Sequence, residues 1–504
     1  MGPRQIVKGA IAALACACAT LAMPANVACG APAPLVHAQS DTPVPEHYMV
    51  ILKPGVSSSA FLAHRAAVAQ FVLAERSSNV TDADFGFRHI YDMDTHLQGY
   101  AGRFSPAMLQ YIRAQPEVDY VEADSIVRAT VLEQDGRYVH DMPPAAAAQT
   151  MPWDNPARHL TEDGAPWGLA RISHRRSLSL GTFNKYVYES IAGDGVTAYI
   201  IDTGIRVDHE DFGGRARWGT TIPLNDKDED AHGHGTHCAG TIGSSTYGVA
   251  KKAELVAVKV LGSNGQGAMS DVTAGVLWAV ADAQERTRKM RARPWSPAAR
   301  KHRGFVANMS LGGTKSPTLE RAVNGAVMTG MHFAVAAGNE NQDACNVSPA
   351  AAKHAVTVGA STITDERAFF SNKGSCVDIF APGLRVLSTW NEGPRSANVM
   401  SGTSMASPHV VGLMAYMLSI YGTEDFGLVA EPPHKAPHGA WRSWVHAMTR
   451  MVPVPFQALL RAHEALWPAA EPDVAVLSVE SRLTPAQLKR AMRSMATPGS
   501  RYHE

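Results

Sequence analysis

Short apolar strands alternate with helical segments over most of the chain after about Trp153, and this alternation constrains the fold more than any other feature. Near-continuous apolar, β-branched runs lie at residues 196–201, 255–260, 305–311 and 332–337. Strands of this kind are buried on both faces, which is typical of a parallel sheet covered by helices. The sequence therefore predicts an α/β domain of three layers with a mostly parallel central sheet.

Capping residues and prolines place several helices of this domain. Ser270 is predicted to cap one helix, and Ser316-Pro317 to begin another. A short helix is predicted over residues 237–242, and Pro408 is predicted in the first turn of an apolar helix that follows Ser404.

A smaller α+β unit precedes this domain. Its elements are predicted in the order βαββαβ, at residues 47–52, 57–71, 85–93, 98–104, 105–115 and 118–122. That order is typical of a split-βαβ sheet with two helices on one face. We place the smaller unit at residues 46–129 and the larger domain at residues 150–504.

The first residues carry a targeting signal. Arg4 and Lys8 precede an apolar run at residues 10–23, and small residues follow, which is the plan of a secretory signal peptide. We assign residues 1–31 to it and expect a secreted protein, with delivery to a vacuole or lysosome as the alternative.

The two units are joined by residues 130–149, which contain Pro143-Pro144 and four consecutive alanines but little apolar periodicity. We interpret them as an exposed linker that a protease can cut. Residues 284–303, which are rich in arginine and lysine, and residues 422–478 look like insertions, and the sequence indicates no role for either.

The composition limits the classes of molecule that the protein is expected to bind and the cellular compartment in which it is expected to fold. The 504 residues contain 46 Lys and Arg against 46 Asp and Glu, so the net charge of zero indicates neither nucleic acid nor an anionic membrane as a partner. No apolar run reaches the length that spans a bilayer. Outside the signal peptide, Cys238, Cys345 and Cys376 remain, and in an oxidising compartment three cysteines predict one disulfide and one free thiol.

Three residues at predicted element ends form a candidate catalytic constellation. Asp202 ends a strand, His234 lies in a run of glycines and histidines, and Ser404 lies in a turn of small residues before an apolar helix. A serine hydroxyl is a weak nucleophile unless a base takes its proton, and that base needs an acid that orients it. The three side chains supply these functions.

Asn339 is a fourth candidate, because it follows another strand in the sequence Gly338-Asn339. Its amide could donate, together with the main-chain N–H of Ser404, to an oxyanion that forms in acyl transfer. The helix N-terminus at Ser404 would also stabilise negative charge.

The same residues have simpler interpretations. Ser404 alone could be a helix cap, and His232, His234 and His237 could bind zinc. The zinc interpretation lacks an acidic or cysteine ligand at helical spacing and leaves the serine and asparagine motifs unexplained. Asp202-Thr203-Gly204 has no second copy, which an aspartic protease requires. Under the triad interpretation, His232 is expected at the surface and His237 in a packed position.

Taken together, the motifs resemble those of the subtilisin-like serine proteases, and most of all the proteinase K and cerevisin-like group. The motifs are Asp202-Thr203-Gly204, His234-Gly235-Thr236-His237, Gly338-Asn339 and Gly402-Thr403-Ser404-Met405-Ala406. The chain order Asp, His, Ser also matches. Residues 165–173 resemble the start of the mature enzymes, and residues 47–128 resemble their inhibitory prodomain. Several ordered motifs in one chain are specific, although each alone is weak.

The resemblance implies a subtilisin-like three-layer domain and assigns roles within it. Asp202 would orient the base, His234 would act as general base and then acid, Ser404 would be the nucleophile and Asn339 the oxyanion donor. Two edges would hold an extended peptide by main-chain hydrogen bonds. These edges are formed by Gly265, Gln266 and Gly267, and by Ser310, Leu311 and Gly312.

The resemblance also implies a disulfide between Cys345 and Cys376, which leaves Cys238 as the free thiol. The family's calcium site uses one aspartate and main-chain carbonyls, and Asp378 falls at the matching place. The chemistry itself requires no cofactor. The expected partners are protein or peptide substrates and the chain's own prodomain, acting as an intramolecular inhibitor and folding aid, and the protein is expected to be a monomer.

We therefore predict a secreted serine endopeptidase of broad specificity that is made as a self-processing zymogen and acts through an acyl-enzyme. Self-cleavage is expected between about Arg128 and Gln149. The rival hypothesis is a catalytically silent binding protein on the same fold that retains its prodomain. The four intact site residues favour the enzyme.

Overall fold

The computed structural model describes residues 31–36, 43–78, 85–130, 132, 138–139, 149–150, 159–420 and 483–497. The predicted signal peptide up to residue 30, most of the predicted linker and the 422–478 segment lie outside these residues. Residues 43–130 are the N-terminal unit below, and residues 159–497 are the main unit.

The N-terminal unit is an antiparallel sheet with two helices. Its elements, with a short preceding strand, are β1 (Leu35–Val36), β2 (Pro43–Leu52), α1 (Ser58–Ser78), β3 (Gly86–Met93), β4 (Leu97–Arg103), α2 (Pro106–Arg113) and β5 (Val118–Ala129). The strands lie in the order β3-β4-β2-β5, with every pair antiparallel. This is the predicted split-βαβ arrangement, but β5 runs seven residues past the predicted end at residue 122 to Ala129.

Two short strands, β6 (Tyr138–Val139) and β7 (Gln149–Thr150), lie between the units. The main unit begins with β8 (His159–Asp163), α3 (Trp167–Ser173), β9 (Lys185–Glu189), β10 (Val196–Asp202), β11 (Ala216–Thr221), α4 (His234–Gly243), β12 (Glu254–Lys259), β13 (Gln266–Ala268), α5 (Met269–Ala292) and α6 (Pro297–Lys301). It continues with β14 (Gly304–Met309), β15 (Leu311–Thr314), α7 (Pro317–Met328), β16 (His332–Ala336), β17 (Val347–Ser348), β18 (Val356–Ser361), β19 (Ile379–Pro382), β20 (Val386–Thr389), β21 (Ala397–Met400), α8 (Thr403–Ile420) and α9 (Pro485–Met495).

Seven strands of the main unit form one parallel sheet in the order β11-β12-β10-β14-β16-β18-β19. Successive side chains of a strand point to opposite faces. In β10, Tyr199 and Ile201 therefore pack in a core with α5 and α7, whereas Ala198 and Ile200 pack in another core with α4 and α8. Because helices cover both faces of the parallel sheet, the predicted three-layer α/β architecture is confirmed.

The sheet of the N-terminal unit is also buried on both faces. Val50 and Leu52 of β2 pack with its own helices α1 and α2, whereas Met49 and Ile51 are fully buried in the core that contains α5 and α7 of the main unit. The two units thus share a hydrophobic core, and removing the N-terminal unit would expose apolar surface on α5 and α7.

Two carboxylates of β5 cap helices of the main unit. Asp124 accepts from the main-chain N–H of Ser270 at 3.1 Å and from its hydroxyl at 2.5 Å, at the start of α5. Glu122 accepts from the main-chain N–H of Thr318 at 3.0 Å, at the start of α7. The prediction that Ser270 caps α5 is wrong, because Ala268 is the N-cap residue and makes no side-chain cap bond. The cap comes from a residue distant in sequence, which local pattern does not reveal.

Three helices differ from their predicted bounds. α4 begins at His234 rather than residue 237, and α8 begins at Thr403, which places Pro408 inside the helix rather than in its first turn. The predicted 284–303 insertion is largely regular, since α5 continues to Ala292 and α6 follows. Across the described residues, no helix combines the length and apolar character that a membrane span requires.

Candidate active site

The three predicted catalytic residues lie at element ends on the side of the parallel sheet where its strands end. Asp202 is the last residue of β10, His234 is the first of α4, and Ser404 is the second of α8. None of the three residues is exposed to solvent. The carboxyl ends of parallel strands are where α/β proteins usually bind ligands.

Asp202 holds the ring of His234 in place. The His234 Nδ1 atom lies 2.6 Å from Oδ1 of Asp202, and the same oxygen accepts from the main-chain N–H of Thr203 at 2.8 Å. Because a carboxylate only accepts hydrogen bonds, Nδ1 is the donor, and in the neutral imidazole the lone pair is then on Nε2. Nε2 is buried and has no hydrogen-bond partner in the described part of the chain. It is therefore free to accept a proton from a nearby donor.

The Ser404 hydroxyl donates to the main-chain carbonyl of Ser310 at 2.9 Å. It does not bond to Nε2 of His234 in this conformation. A rotation about the Cα–Cβ bond of Ser404, from one staggered rotamer to another, would redirect the hydroxyl. Hydrogen bonds between a nucleophile and its base are often incomplete before a substrate is engaged.

The carbonyl of Ser404 explains how α8 accommodates Pro408. In a regular helix this carbonyl would accept from the N–H of residue 408, which proline lacks. It accepts instead from the hydroxyl of Ser310 at 2.8 Å and from the thiol of Cys238 at 3.5 Å. Pro408 thus leaves the Ser404 carbonyl available as an acceptor. Its two hydrogen bonds connect the start of α8 to Cys238 of α4 and to Ser310, between β14 and β15.

A buried carboxylate, Asp230, joins the Asp202 segment to the start of α4. Its Oδ1 accepts from the hydroxyl of Thr203 at 2.8 Å and from the N–H groups of His232 and Gly233 at 3.2 and 2.8 Å. Its Oδ2 accepts from the N–H and hydroxyl of Thr236 at 2.9 and 2.6 Å. Five donors on one carboxylate fix the loop that presents His234.

The side chain of Asn339 is oriented by the start of α8. Its Oδ1 accepts from the main-chain N–H and the hydroxyl of Thr403, both at 2.9 Å. A main-chain N–H can only donate, so the amide oxygen must face Thr403 and the amide nitrogen must face away. That nitrogen donates to the main-chain carbonyl of Thr130 at 2.7 Å.

The end of β5 lies between the two predicted substrate edges. On one side, Ile126, Val127 and Arg128 pair antiparallel with Ala268, Gly267 and Gln266, and the N–H of Ala129 donates to the carbonyl of Gly265 at 3.0 Å. On the other side, Arg128 and Ala129 pair with Gly312 and Leu311, and the N–H of Thr130 donates to the carbonyl of Ser310 at 3.3 Å. The chain's own segment thus adds a strand to both edges. Thr130 is buried rather than exposed, contrary to the linker prediction.

The segment beyond Thr130 also contacts the main unit where it is described. The N–H of Leu132 donates to the carbonyl of Ser401 at 3.1 Å, and β6 pairs antiparallel with β21. The precursor chain therefore contacts the site on both sides of the Thr130 carbonyl.

The cysteines follow the expectation drawn from the resemblance. Cys345 and Cys376 form a disulfide, and Cys238 is a buried free thiol. Ligand atoms of Asp202, His234 and Cys238 lie within 4.8 Å of one another. Burial raises the pKa of the Cys238 thiol well above its usual range, and this thiol donates to the main-chain carbonyl of Ser404.

The other histidines of the zinc hypothesis do not converge with His234. The Nε2 atom of His237 faces the carbonyls of Val386 and Asn398, both at 3.1 Å, as expected for a packed residue. His232 is half-buried rather than at the surface, and burial lowers its pKa.

Some residues of the site were not found from the sequence. Asp230 carried a weak signal, since it is an acidic residue four positions before His234 in a glycine- and histidine-rich loop. Nothing local marks Thr130 or Ser401, because their contacts arise only when β5 lies against the main unit. Asp378, the predicted calcium ligand, forms an ion pair with Lys489 of α9.

Comparisons with known proteins match both units of the chain to known families. Residues 193–431 match the family model of the subtilase family, and residues 47–130 match that of the peptidase inhibitor I9 family. A cold-adapted subtilisin-like serine proteinase of known crystal structure is 46% identical, with a TM-score of 0.45 over 51% of this chain and 85% of that chain.

Fungal proteases are similar over most of the chain. A subtilisin-like protease of Coccidioides posadasii is 49% identical over 410 residues, which is 79% of this chain and 76% of that protein. The subtilisin-like serine protease Pen c 2 of Penicillium citrinum is 49% identical over 409 residues, 79% of this chain and 83% of that protein. With the Asp202–His234 pair, these matches show that the chain belongs to the subtilase family and is a serine endopeptidase with an N-terminal inhibitory propeptide.

Proposed function

We propose that this chain is a secreted zymogen whose active site cuts its own Thr130–Val131 bond and then hydrolyses other proteins. One observation carries the proposal. The main chain of Thr130 donates its N–H to the Ser310 carbonyl, while its carbonyl accepts from the side-chain amide of Asn339. This is the position that the peptide group to be cleaved must occupy beside a serine nucleophile and an oxyanion donor.

The contacts support a division of roles. Ser404 is the nucleophile, His234 the base, Asp202 the group that fixes the ring, and Asn339 the oxyanion donor. As Ser404 rotates towards Nε2 of His234, its proton passes to that nitrogen and its Oγ bonds to the carbonyl carbon of Thr130. The carbonyl oxygen becomes an oxyanion held by the Asn339 amide and the Ser404 N–H.

Collapse of this intermediate breaks the bond to the nitrogen of Val131, which takes the proton from His234. The acyl group of Thr130 then remains on Ser404 as an ester. A water molecule gives its proton to His234 and attacks the ester, which frees the Thr130 carboxylate and returns the proton to Ser404. No step needs a cofactor.

Main-chain pairing supports broad side-chain specificity, because the two edges hold β5 through backbone groups that every residue possesses. One side chain of the inhibitory strand β5 is nonetheless buried by the main unit. Val127, the fourth residue before the proposed bond, is fully buried in the core that includes Leu311 and Met269. We expect substrates with an apolar residue at this position to be preferred.

The charged residues near the chain start, followed by an apolar run, support secretion. A monomer is part of the proposal, because one chain supplies the triad, the oxyanion donor and both edges of the groove. The silent binding protein remains the alternative hypothesis, and no finding favours it.

Expression of the Ser404→Ala variant tests the proposal. The unaltered chain is expected to yield a mature protein that begins at Val131, whereas Ser404→Ala accumulates as the uncut precursor. Ser407→Ala, one turn along α8, is the matched control and should mature normally, because its hydroxyl donates to Asn308 rather than to a residue of the proposed triad. A mature N-terminus near residue 150, or maturation of Ser404→Ala when expressed alone, would contradict the proposal.

A further inference from the structure

A lysine ammonium lies among three oxygen atoms at the end of the parallel sheet where its strands begin, opposite the end that carries the proposed triad. The Nζ atom of Lys489 is 2.7 Å from Oδ2 of Asp378, 3.0 Å from the carbonyl oxygen of Lys353 and 2.5 Å from that of Ala355. These three oxygens, which we name the oxygen seat, lie just before β18 and β19. An ammonium group has three donors, so each donor meets one oxygen.

The oxygen seat has the composition of a site for a hard cation. One carboxylate and two main-chain carbonyls are ligands that Ca²⁺ uses in proteins. The sequence resemblance led to the same expectation for Asp378. In this chain, however, the oxygens already surround a positive charge, and a second cation among them would lie within contact distance of the ammonium and be repelled. The residues present therefore do not fit a bound calcium ion.

Lys489 is held in the oxygen seat by the packing of α9. Leu488 and Met492 on this helix are 0% and 3% exposed and belong to the core that contains α8. Thr484 and Gln487 form a capping box at the helix start. Arg493, one turn further, places a second positive charge 3.6 Å from Oδ1 of Asp378. The helix thus brings its cationic face to the carboxylate while its apolar face is buried.

We propose that the ammonium of Lys489 takes the place of a calcium ion in the oxygen seat, so that α9 supplies from within the chain the cation that neutralises Asp378. A cation that is part of the chain cannot be removed by a chelator. The stability that it contributes is consequently independent of calcium concentration, whereas a bound ion stabilises only by mass action. The proposal does not depend on peptidase activity or on the maturation bond.

Thermal unfolding tests it in the full chain carrying Ser404→Ala, which prevents self-digestion. The midpoint Tm is compared in EDTA and in calcium at about 10 mM, above the roughly 10⁻³ M Kd of a weak calcium site. Lys489→Met is expected to lower Tm in EDTA by about 5 °C, because it leaves Asp378 without its close partner. Calcium should restore part of that loss, and should not do so when Asp378→Asn is combined with Lys489→Met. Arg490→Met, an exposed cation on the same helix, is the matched control and should behave like the parent.

Three results would overturn the proposal. The first is a rise in the Tm of the parent with calcium that is lost in Asp378→Asn. This result would show that calcium binds beside Lys489, and it is obtained without any Lys489 variant. The second is an unchanged Tm of Lys489→Met in EDTA. The third is a calcium response of Lys489→Met no larger than that of Arg490→Met, which would show that the vacated oxygens do not form a calcium site.

Discussion

The side-chain amide of Asn339 donates a 2.7 Å hydrogen bond to the main-chain carbonyl of Thr130, the residue that directly follows the inhibitory strand β5. The contact joins the proposed oxyanion donor of the main unit to a carbonyl of the propeptide. Under the proposed roles, the same hydrogen bond would serve both inhibition and self-cleavage.

Asn339→Leu should lower kcat by about 10²–10³-fold with little change in KM, because the amide bonds most strongly to the oxyanion of the transition state. Steady-state kinetics on a peptide substrate measures both constants. Asn341→Gly, an exposed neighbour, is the control and should retain kcat. Equal losses in kcat and in substrate binding would argue against the assigned role.

Asp230→Ala should lower the free energy of unfolding by about 3 kcal/mol or more, because it leaves buried donors of Thr203, Gly233 and Thr236 without their charged acceptor. Urea unfolding of the Ser404→Ala precursor measures this change. Asp228→Asn, an exposed carboxylate two residues earlier, should have little effect. An Asp230 variant as stable as the control would show that the loop before His234 is held by other contacts.

Asp124→Ala should destabilise the precursor by about 1–2 kcal/mol, since it removes the cap of α5 that the N-terminal unit provides. Asp119→Ala, on the same strand but facing Arg321 in a partly exposed ion pair, should cost less. Chemical unfolding of both variants in the Ser404→Ala background makes the comparison. Equal stability of the two would refute the capping role.

Three buried histidines should make the fold sensitive to acid. Burial lowers the pKa of His237 to about 3, and those of His332 and His409 to about 4. Below the unfolded pKa of about 6.5, the unfolded chain binds protons that the folded chain does not. Stability is therefore fully present above that pH and is lost as the pH falls towards 4, with a slope that approaches about 1.4 kcal/mol per pH unit for each histidine.

His332→Leu should reduce this slope by about 1.4 kcal/mol per pH unit between about pH 6 and pH 5, because one of the three sites no longer takes up a proton on unfolding. Urea unfolding at several pH values, in the Ser404→Ala precursor, gives the slope for variant and parent. Identical slopes would mean that His332 is already protonated in the folded protein.

The sequence was most informative where function depends on residues at element ends. Asp202, Ser404 and Asn339 could be named because each lies near a strand or helix boundary that the sequence predicts, and the ends of parallel strands lie together. His234 was named from its glycine- and histidine-rich motif, since its helix was predicted to begin at residue 237. The βαββαβ order of the N-terminal unit could also be predicted from hydrophobic periodicity.

Contacts between residues distant in sequence could not be predicted in this way. The cap of α5 by Asp124, the Thr130 carbonyl on Asn339 and the Lys489 ammonium beside Asp378 join residues separated by more than a hundred positions. No local propensity encodes such pairs. Pro408 is a further example, because the carbonyl of Ser404 that lacks its helical N–H partner accepts from the distant Ser310 and Cys238 side chains.

Mapping of a fluorophosphonate adduct on the mature enzyme tests the central claim most directly. The reagent forms a covalent bond with a serine whose hydroxyl is activated by a base, and mass spectrometry of the digested protein identifies that serine. We predict a single adduct on Ser404 and a labelling rate lower by a factor of about 10⁴ or more in His234→Ala that added active enzyme has cut to the mature form. An adduct on another residue, or labelling of Ser404 that is as fast without His234, would contradict the triad.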